Sequence, residues 1–280
     1  MPAGTRPRRR LEPAEALEVS AMAPLVDVGD LSFRYGTHQP WVLRSVSLSV
    51  PRGAAVGIVG ESGSGKSTLI RVLCGLLTAT AGAVTYAGRD IGDWLARHPR
   101  QFRRDNQLVF QSPASSLDPR MRVRRSVAEP VRALERRRVA DDELASWLTL
   151  VGLDPSVLDR YPHQLSGGQL QRVAIARSLS VNPGVLYADE PTSALDVSVQ
   201  AQVLNLLMDL RARLGLTLVM VSHDLAVVSR VCEQIVVMRG GAIVEAGPTA
   251  AVMHNPAAEY TRALVDAARA VSLAASRSAS

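Results

Sequence analysis

Of the 32 Lys and Arg residues in this 280-residue chain, one is a lysine, Lys66. The chain uses arginine wherever a generic cation suffices and keeps a compact ammonium at a single place, where a forked guanidinium does not fit. That place is Gly60-Glu61-Ser62-Gly63-Ser64-Gly65-Lys66-Ser67-Thr68, which fits the spacing G-x4-G-K-[ST]. Glycines let backbone N–H groups converge on an anion with no Cβ in the way. A helix starting at Lys66 adds its positive end. Lys66 can reach the outer phosphates of a nucleoside triphosphate, and the Ser67 hydroxyl can ligate Mg2+. The pattern arises by chance in roughly one chain in a hundred of this length at average residue frequencies.

Two further groups of residues narrow the chemistry. Val185-Leu186-Tyr187-Ala188-Asp189-Glu190 reads as an apolar strand ending in two acids. Asp189 is placed to hold Mg2+, and Glu190, one residue on, to polarise an attacking water as general base. Leu165-Ser166-Gly167-Gly168-Gln169 precedes a helical pattern and forms a second phosphate-grade site of a hydroxyl, two glycines and a helix N-terminus. One nucleotide does not need two such sites on one chain. Two chains packed head to tail would each bring one to the other's nucleotide.

The string LSGGQ, about a hundred residues after the phosphate loop and some twenty before the Asp-Glu strand, resembles the signature of ABC ATPases. The resemblance runs from about Leu25 to Ala267 and implies the P-loop NTPase fold of that family. Its parts are an α/β RecA-like core, an antiparallel β subdomain and a helical signature subdomain. It implies ATP and Mg2+ as ligands. Tyr35 matches the aromatic that stacks on adenine, and Gln111 the glutamine that senses Mg2+ and the attacking water and leads to the transporter contact. Ser193-Ala194-Leu195-Asp196 matches the loop that crosses the dimer interface, which puts Asp196 among the nucleotide-contacting residues with Ser166, Gly167, Gly168 and Gln169. His223 matches the switch histidine at the γ-phosphate. The resemblance thus assigns catalysis to Glu190, His223, Gln111 and Lys66, and the metal to Ser67, Gln111 and Asp189.

Within that family, Val109 to Met121, Tyr161-Pro162-His163-Gln164, Ser193 to Gln202 and the C-terminal His254-Asn255-Pro256 with Tyr260-Thr261-Arg262-Ala263-Leu264 look like the ATPases of oligopeptide, dipeptide and nickel importers. Such a subunit is expected at the cytoplasmic face of a bacterial inner membrane. Its expected partners are a second ATPase subunit, two membrane permeases and, indirectly, a substrate-binding protein. An exporter motor and an ABC ATPase acting on nucleic acid are the alternatives. The second rests only on charge: the span 97–138 carries twelve Arg against four acids, a local net of +8 where the whole chain carries +6. A solvated face explains that charge as well, and no nucleic-acid partner is expected. A P-loop kinase has no use for LSGGQ.

The elements that must position these residues follow from pattern. Residues 1–24, rich in Pro, Ala, Arg and Glu, read as a mobile tail. An ATPase domain is expected over 25–255, opening with alternating strands and an apolar strand over Ala54 to Val59 that feeds the glycine loop and a helix to about Leu76. Residues 93–165 are Arg-rich and broken by prolines, and are expected to form most of a helical insertion that spans about 93–180. The α/β rhythm then returns, with a helix over Val197 to Leu214 and a strand over Leu216 to Val221. Beyond it an importer-type extension, 256–280, ends in a helix over Ala257 to Ala270 and a Ser/Ala tail. No apolar run approaches the length that crosses a bilayer, and acids at Glu12, Glu15 and Glu18 argue against a signal peptide. Cys74 and Cys232 are expected to be buried thiols.

Overall fold

A computed structural model of the protein describes residues 23–278. The expected N-terminal tail lies almost wholly outside the described residues. In chain order the elements are β1 (Val26–Phe33), β2 (Leu43–Val50), β3 (Ala55–Val59), α1 (Lys66–Leu73), β4 (Ala81–Tyr86), β5 (Arg89–Asp90), α2 (Ile91–Arg97), α3 (Pro99–Asp105), β6 (Asn106–Val109), α4 (Pro113–Ser116) and α5 (Val123–Pro130). There follow α6 (Asp141–Leu150), α7 (Gly167–Leu179), β7 (Val185–Asp189), α8 (Val197–Leu214), β8 (Thr217–Ser222), α9 (Leu225–Val231), β9 (Gln234–Arg239), β10 (Ala242–Pro248), α10 (Thr249–His254) and α11 (Glu259–Ser278).

Six strands form the central sheet in the order β10-β9-β3-β8-β7-β6, parallel from β9 to β6, with β10 antiparallel at the edge. The parallel strands are continuous apolar runs because both faces are covered. Alternate residues point to opposite faces, so β8 sends Leu218 and Met220 into one core and Val219 and Val221 into the other. The first core lies under α5 to α9. The second lies between the sheet, α1 and the antiparallel sheet β2-β1-β4-β5. Helices α5 and α6 both pack against α7, burying Val127, Leu148 and Ile175. These three bodies are the RecA-like core, antiparallel subdomain and helical subdomain expected from the sequence.

Four boundaries differ from expectation, each for a local reason. Helix α1 stops at Leu73 because Gly75, at φ +72°, turns left-handed. Leu216 is not in β8: Gly215 caps α8 and the Leu216 N–H closes the helix onto Arg211 O. The stretch read as helical from 93 holds a strand, β6, which pairs with β7, while Trp94 and Phe102 of α2 and α3 pack around Tyr86 of the antiparallel sheet. Helix α11 continues to Ser278 in place of the Ser/Ala tail, as the helix propensity of alanine permits. Both cysteines are buried, and burial pushes each thiol up to about 12. Among the described residues no helix is long and apolar enough to cross a membrane.

The basic span is partly neutralised by acids from outside it. Arg124 meets Asp141 and Asp159, Arg122 also meets Asp159, and Arg137 meets Glu143. Counting charge along 97–138 overstates what solvent sees there.

Candidate active site

The phosphate loop runs from the end of β3 to the start of α1, and two glycines make its shape possible. A Cβ on Gly60 would lie 2.2 Å from Met238 O. Gly65 stands at φ +98°, where a Cβ would lie 2.8 Å from Leu43 Cδ2 and 2.9 Å from Val42 O. Lys66 is 5 % exposed. Its Nζ donates to Gly60 O and Glu61 O, each at 2.7 Å, which leaves one of its three N–H donors for a ligand. Burial lowers its pKa; Glu190, Asp189 and Glu61 work the other way.

The next strand over, β8, separates β3 from β7, so the C-terminal ends of these parallel strands share one edge of the sheet. Asp189 closes β7 there, and the Ser67 hydroxyl donates to its Oδ1 at 2.9 Å. Burial raises the Asp189 pKa, with Glu190 adding to it and Ser67, Arg71 and Lys66 opposing. A buried carboxylate beside a hydroxyl is a hard-oxygen donor set of the kind Mg2+ takes. Glu190 follows in a left-handed turn, φ +45°, fixed by its N–H to Val221 O. That turn sets its carboxylate where Gln111 Nε2 donates to Oε2 at 3.0 Å and His223 Nδ1 stands 3.3 Å from the same oxygen.

A pocket of about 340 Å3 collects Lys66, Ser67, Thr68, Gln111, Glu190 and His223. Asp189 sits behind it on Ser67. Tyr35 is 54 % exposed, stands edge-on to Phe33, and reaches Thr68 Oγ1 with its hydroxyl at 3.3 Å. Of the loop residues named from sequence, Ser62, Gly63 and Gly65 also line the pocket. Ser64 N–H instead bonds Glu61 O, closing the loop's turn.

Ser166, Gly167, Gly168, Gln169 and Asp196 do not line it. Ser166 caps α7, taking the Gln169 N–H on its hydroxyl while Gln169 Oε1 accepts the Ser166 N–H. Asp196 caps α8 through the Val199 N–H, a bond that lowers its pKa. The two caps form one surface: a Cβ on Gly168 would lie 2.6 Å from Val199 Cγ1. Val197 on that surface is 83 % exposed.

Sequence reasoning missed two contributors. Val42, immediately before β2, lines the pocket. Tyr260 on α11 accepts the Glu61 N–H at 3.0 Å. No sequence signal connects positions 199 residues apart.

Comparison with known proteins agrees with this geometry. The sequence model of the ABC transporter family matches residues 43–193. The oligopeptide transport ATP-binding protein OppF of Salmonella typhimurium is 45 % identical over 257 residues, 87 % of this chain and 77 % of that protein. The glutathione import ATP-binding protein GsiA of Pectobacterium atrosepticum is 42 % identical over 87 % of this chain but only 41 % of its own length. Among solved structures, cbiO1 of Clostridium perfringens, part of the ABC transporter complex cbiONQ, superposes with a TM-score of 0.74 at 28 % identity, covering 83 % of this chain and 91 % of that one. The ATP-binding cassette MJ0796, in a dimeric post-hydrolysis state bound to ADP and Pi, gives 0.71 at 31 % identity over 80 % and 98 %. A phosphate loop, an acid pair and a capped signature helix on this fold, with relatives at this identity, have one reading: the chain belongs to the ABC transporter family, as an ATP-binding subunit.

Proposed function

We propose that this subunit hydrolyses ATP to power import, with oligopeptides as cargo, and that it works as a head-to-tail pair. The observation that carries the reading is the Glu190 carboxylate, which receives Gln111 and His223 on one oxygen at the mouth of the pocket that holds Lys66. The triphosphate lies along the loop between Tyr35 and Lys66. Glu190 takes the proton of the water that attacks the γ-phosphorus, and the bond to the bridging oxygen of ADP breaks as the new P–O bond forms. His223 and Gln111 orient that carboxylate, and Lys66 meets the charge on the leaving phosphates. Ser67, Asp189 and Gln111 would hold Mg2+, which when bound would supply positive charge against the phosphates.

Ser166 and Gly168 of one subunit cover the γ-phosphate on its mate. The support is that the Ser166 cap stands outside its own pocket yet is built to accept an anion, beside an exposed Val197. Charge-assisted bonds to the shared phosphate hold the pair shut, and hydrolysis releases it. The permease side is supported by a groove of about 280 Å3 lined by Phe110, Glu129, Leu134, Ala174 and Ser178. Phe110 is 39 % exposed and immediately precedes Gln111, so a permease segment in that groove is one residue from the glutamine that orients the Glu190 base. Two permeases would hold the pair at the cytoplasmic face of the membrane.

Glu190→Gln tests the assignment. The variant binds ATP, loses hydrolysis and elutes as an ATP-dependent dimer; turnover at the wild-type rate refutes the base. Reconstitution with candidate permeases tests the cargo: ATPase activity rises with an oligopeptide-loaded binding protein, and failure of peptides to stimulate it refutes peptide import.

A further inference from the structure

The Glu61 peptide is gripped from three sides, and two of the grips come from the C-terminal end of the chain. Its carbonyl accepts from Lys66 Nζ at 2.7 Å. Its N–H donates to the Tyr260 hydroxyl of α11 at 3.0 Å. Its carboxylate lies 3.9 Å from Arg239 Nε, and the Arg239 guanidinium lies over the Tyr260 ring, 4.8 Å from its centroid. Glu61 is the second residue of the phosphate loop. The residue that holds the catalytic lysine is therefore held by a helix that begins 198 residues later in the chain.

Helix α11 is itself anchored. The Glu245 carboxylate on β10 accepts the N–H groups of Ala257 and Ala258 at 2.9 and 3.0 Å, fixing the start of the helix. Val265 is 1 % exposed in the core, and Arg269 donates to Met253 O at 2.7 Å. Tyr260 is half-buried against that core. Moving Tyr260 off Glu61 means breaking these contacts or turning the ring away from Arg239.

We propose that Tyr260 is a positioning residue for ATP, and that the segment 256–270 is a strap that holds the phosphate loop in its anion-binding shape. The proposal rests on the reading of this pocket as the ATP site and adds a distant element that tunes its affinity. A loop freed from Tyr260 can rotate the Gly60–Glu61 peptide, and with it one of the two carbonyls that aim Lys66. The strap is coupled to nucleotide by linkage, so whatever α11 does for ATP, ATP does for α11.

The test uses the full chain, Tyr260→Phe and the fluorescent analogue trinitrophenyl-ATP. Phenylalanine keeps the ring under Arg239 and removes only the acceptor. Loss of one exposed hydrogen bond to a preorganised loop is expected to weaken binding about three- to tenfold. In wild type, nucleotide slows amide exchange over 259–270; in Tyr260→Phe that protection falls by the same factor. A role in stability alone would lower Tm and leave both readouts unmoved. Binding within twofold of wild type, or no nucleotide-dependent protection of α11 in a wild-type protein that binds the analogue, overturns the strap and leaves the ATP site standing. Failure of wild type to bind the analogue overturns both.

Discussion

Replacing Lys66 by arginine keeps the charge and changes the shape, so it separates two accounts of the phosphate loop. If the loop needs only a cation, affinity for ATP is unchanged. If it needs a compact ammonium, affinity falls. The structure favours the second. Lys66 is 5 % exposed, and its Nζ sits 2.7 Å from both Gly60 O and Glu61 O. The loop cannot retreat to admit a guanidinium, because Gly60 Cα already lies so close to Met238 O that a Cβ would come within 2.2 Å. A planar fork has its donors splayed and cannot satisfy two convergent carbonyls and a phosphate from one point. Loss of one charge-assisted contact in a partly desolvated site is worth about 1.5–3 kcal/mol, which is about 10- to 150-fold in Kd. The assay is equilibrium titration of Lys66→Arg and wild type with ATP at matched Mg2+, with Tm measured in parallel. A folded Lys66→Arg protein that binds ATP within twofold of wild type refutes the reasoning.

Two more outcomes follow from residues outside the pocket. Gly168→Ala puts a methyl 2.6 Å from Val199 Cγ1 and so shifts the tip of α7 against α8; nucleotide affinity of the isolated subunit stays within twofold, while the ATP-dependent dimer of a Glu190→Gln background is lost, and a dimer of undiminished yield by size exclusion contradicts the head-to-tail arrangement. Burial raises the Glu245 pKa, but the hydrogen bonds it accepts and nearby Arg262 bring it below the ordinary 4.5. A carboxylate depressed in the folded state stabilises fully above the unfolded value and loses that contribution as pH falls through the folded one. Wild type and Glu245→Gln are therefore expected to differ in Tm at pH 7 and to converge below pH 4.5, and parallel Tm curves across that range argue against the cap.

The pocket was readable because its chemistry is local. A strand, six loop residues and a helix start place Lys66 and Ser67 by short-range geometry alone. Asp189 and Glu190 follow because a parallel strand that starts apolar and ends in acids delivers both to the same sheet edge. What pattern could not supply was pairing across distance. Strand β6 is four residues with a polar start, too short for periodicity to show inside an Arg-rich stretch. Arg124 looks like free charge until folding brings Asp141 and Asp159 to it. Tyr260 reads as part of a C-terminal helix, and only the fold lays its hydroxyl on Glu61.

The single subunit is a site with its walls missing. The Glu190 side chain is 17 % exposed and His223 is 61 % exposed, so neither is sealed from water. A base that works on a selected water needs the rest excluded. Among the described residues the α7 tip does not supply the cover, since Ser166 and Gln169 cap their own helix and Ser166 to Gln169 do not line the pocket. On the head-to-tail proposal a second ATPase subunit, the same chain or a sister, would bring that tip toward Tyr35, which is exposed here, as is Val197 beside the tip. Closure would then depend on nucleotide for a physical reason. In that arrangement two positive ends, the Lys66 loop and the α7 tip, would repel until a polyanion lay between them. Cutting the γ-phosphate would then remove the charge nearest the tip, so the same reaction that consumes ATP would restore the repulsion and open the pair.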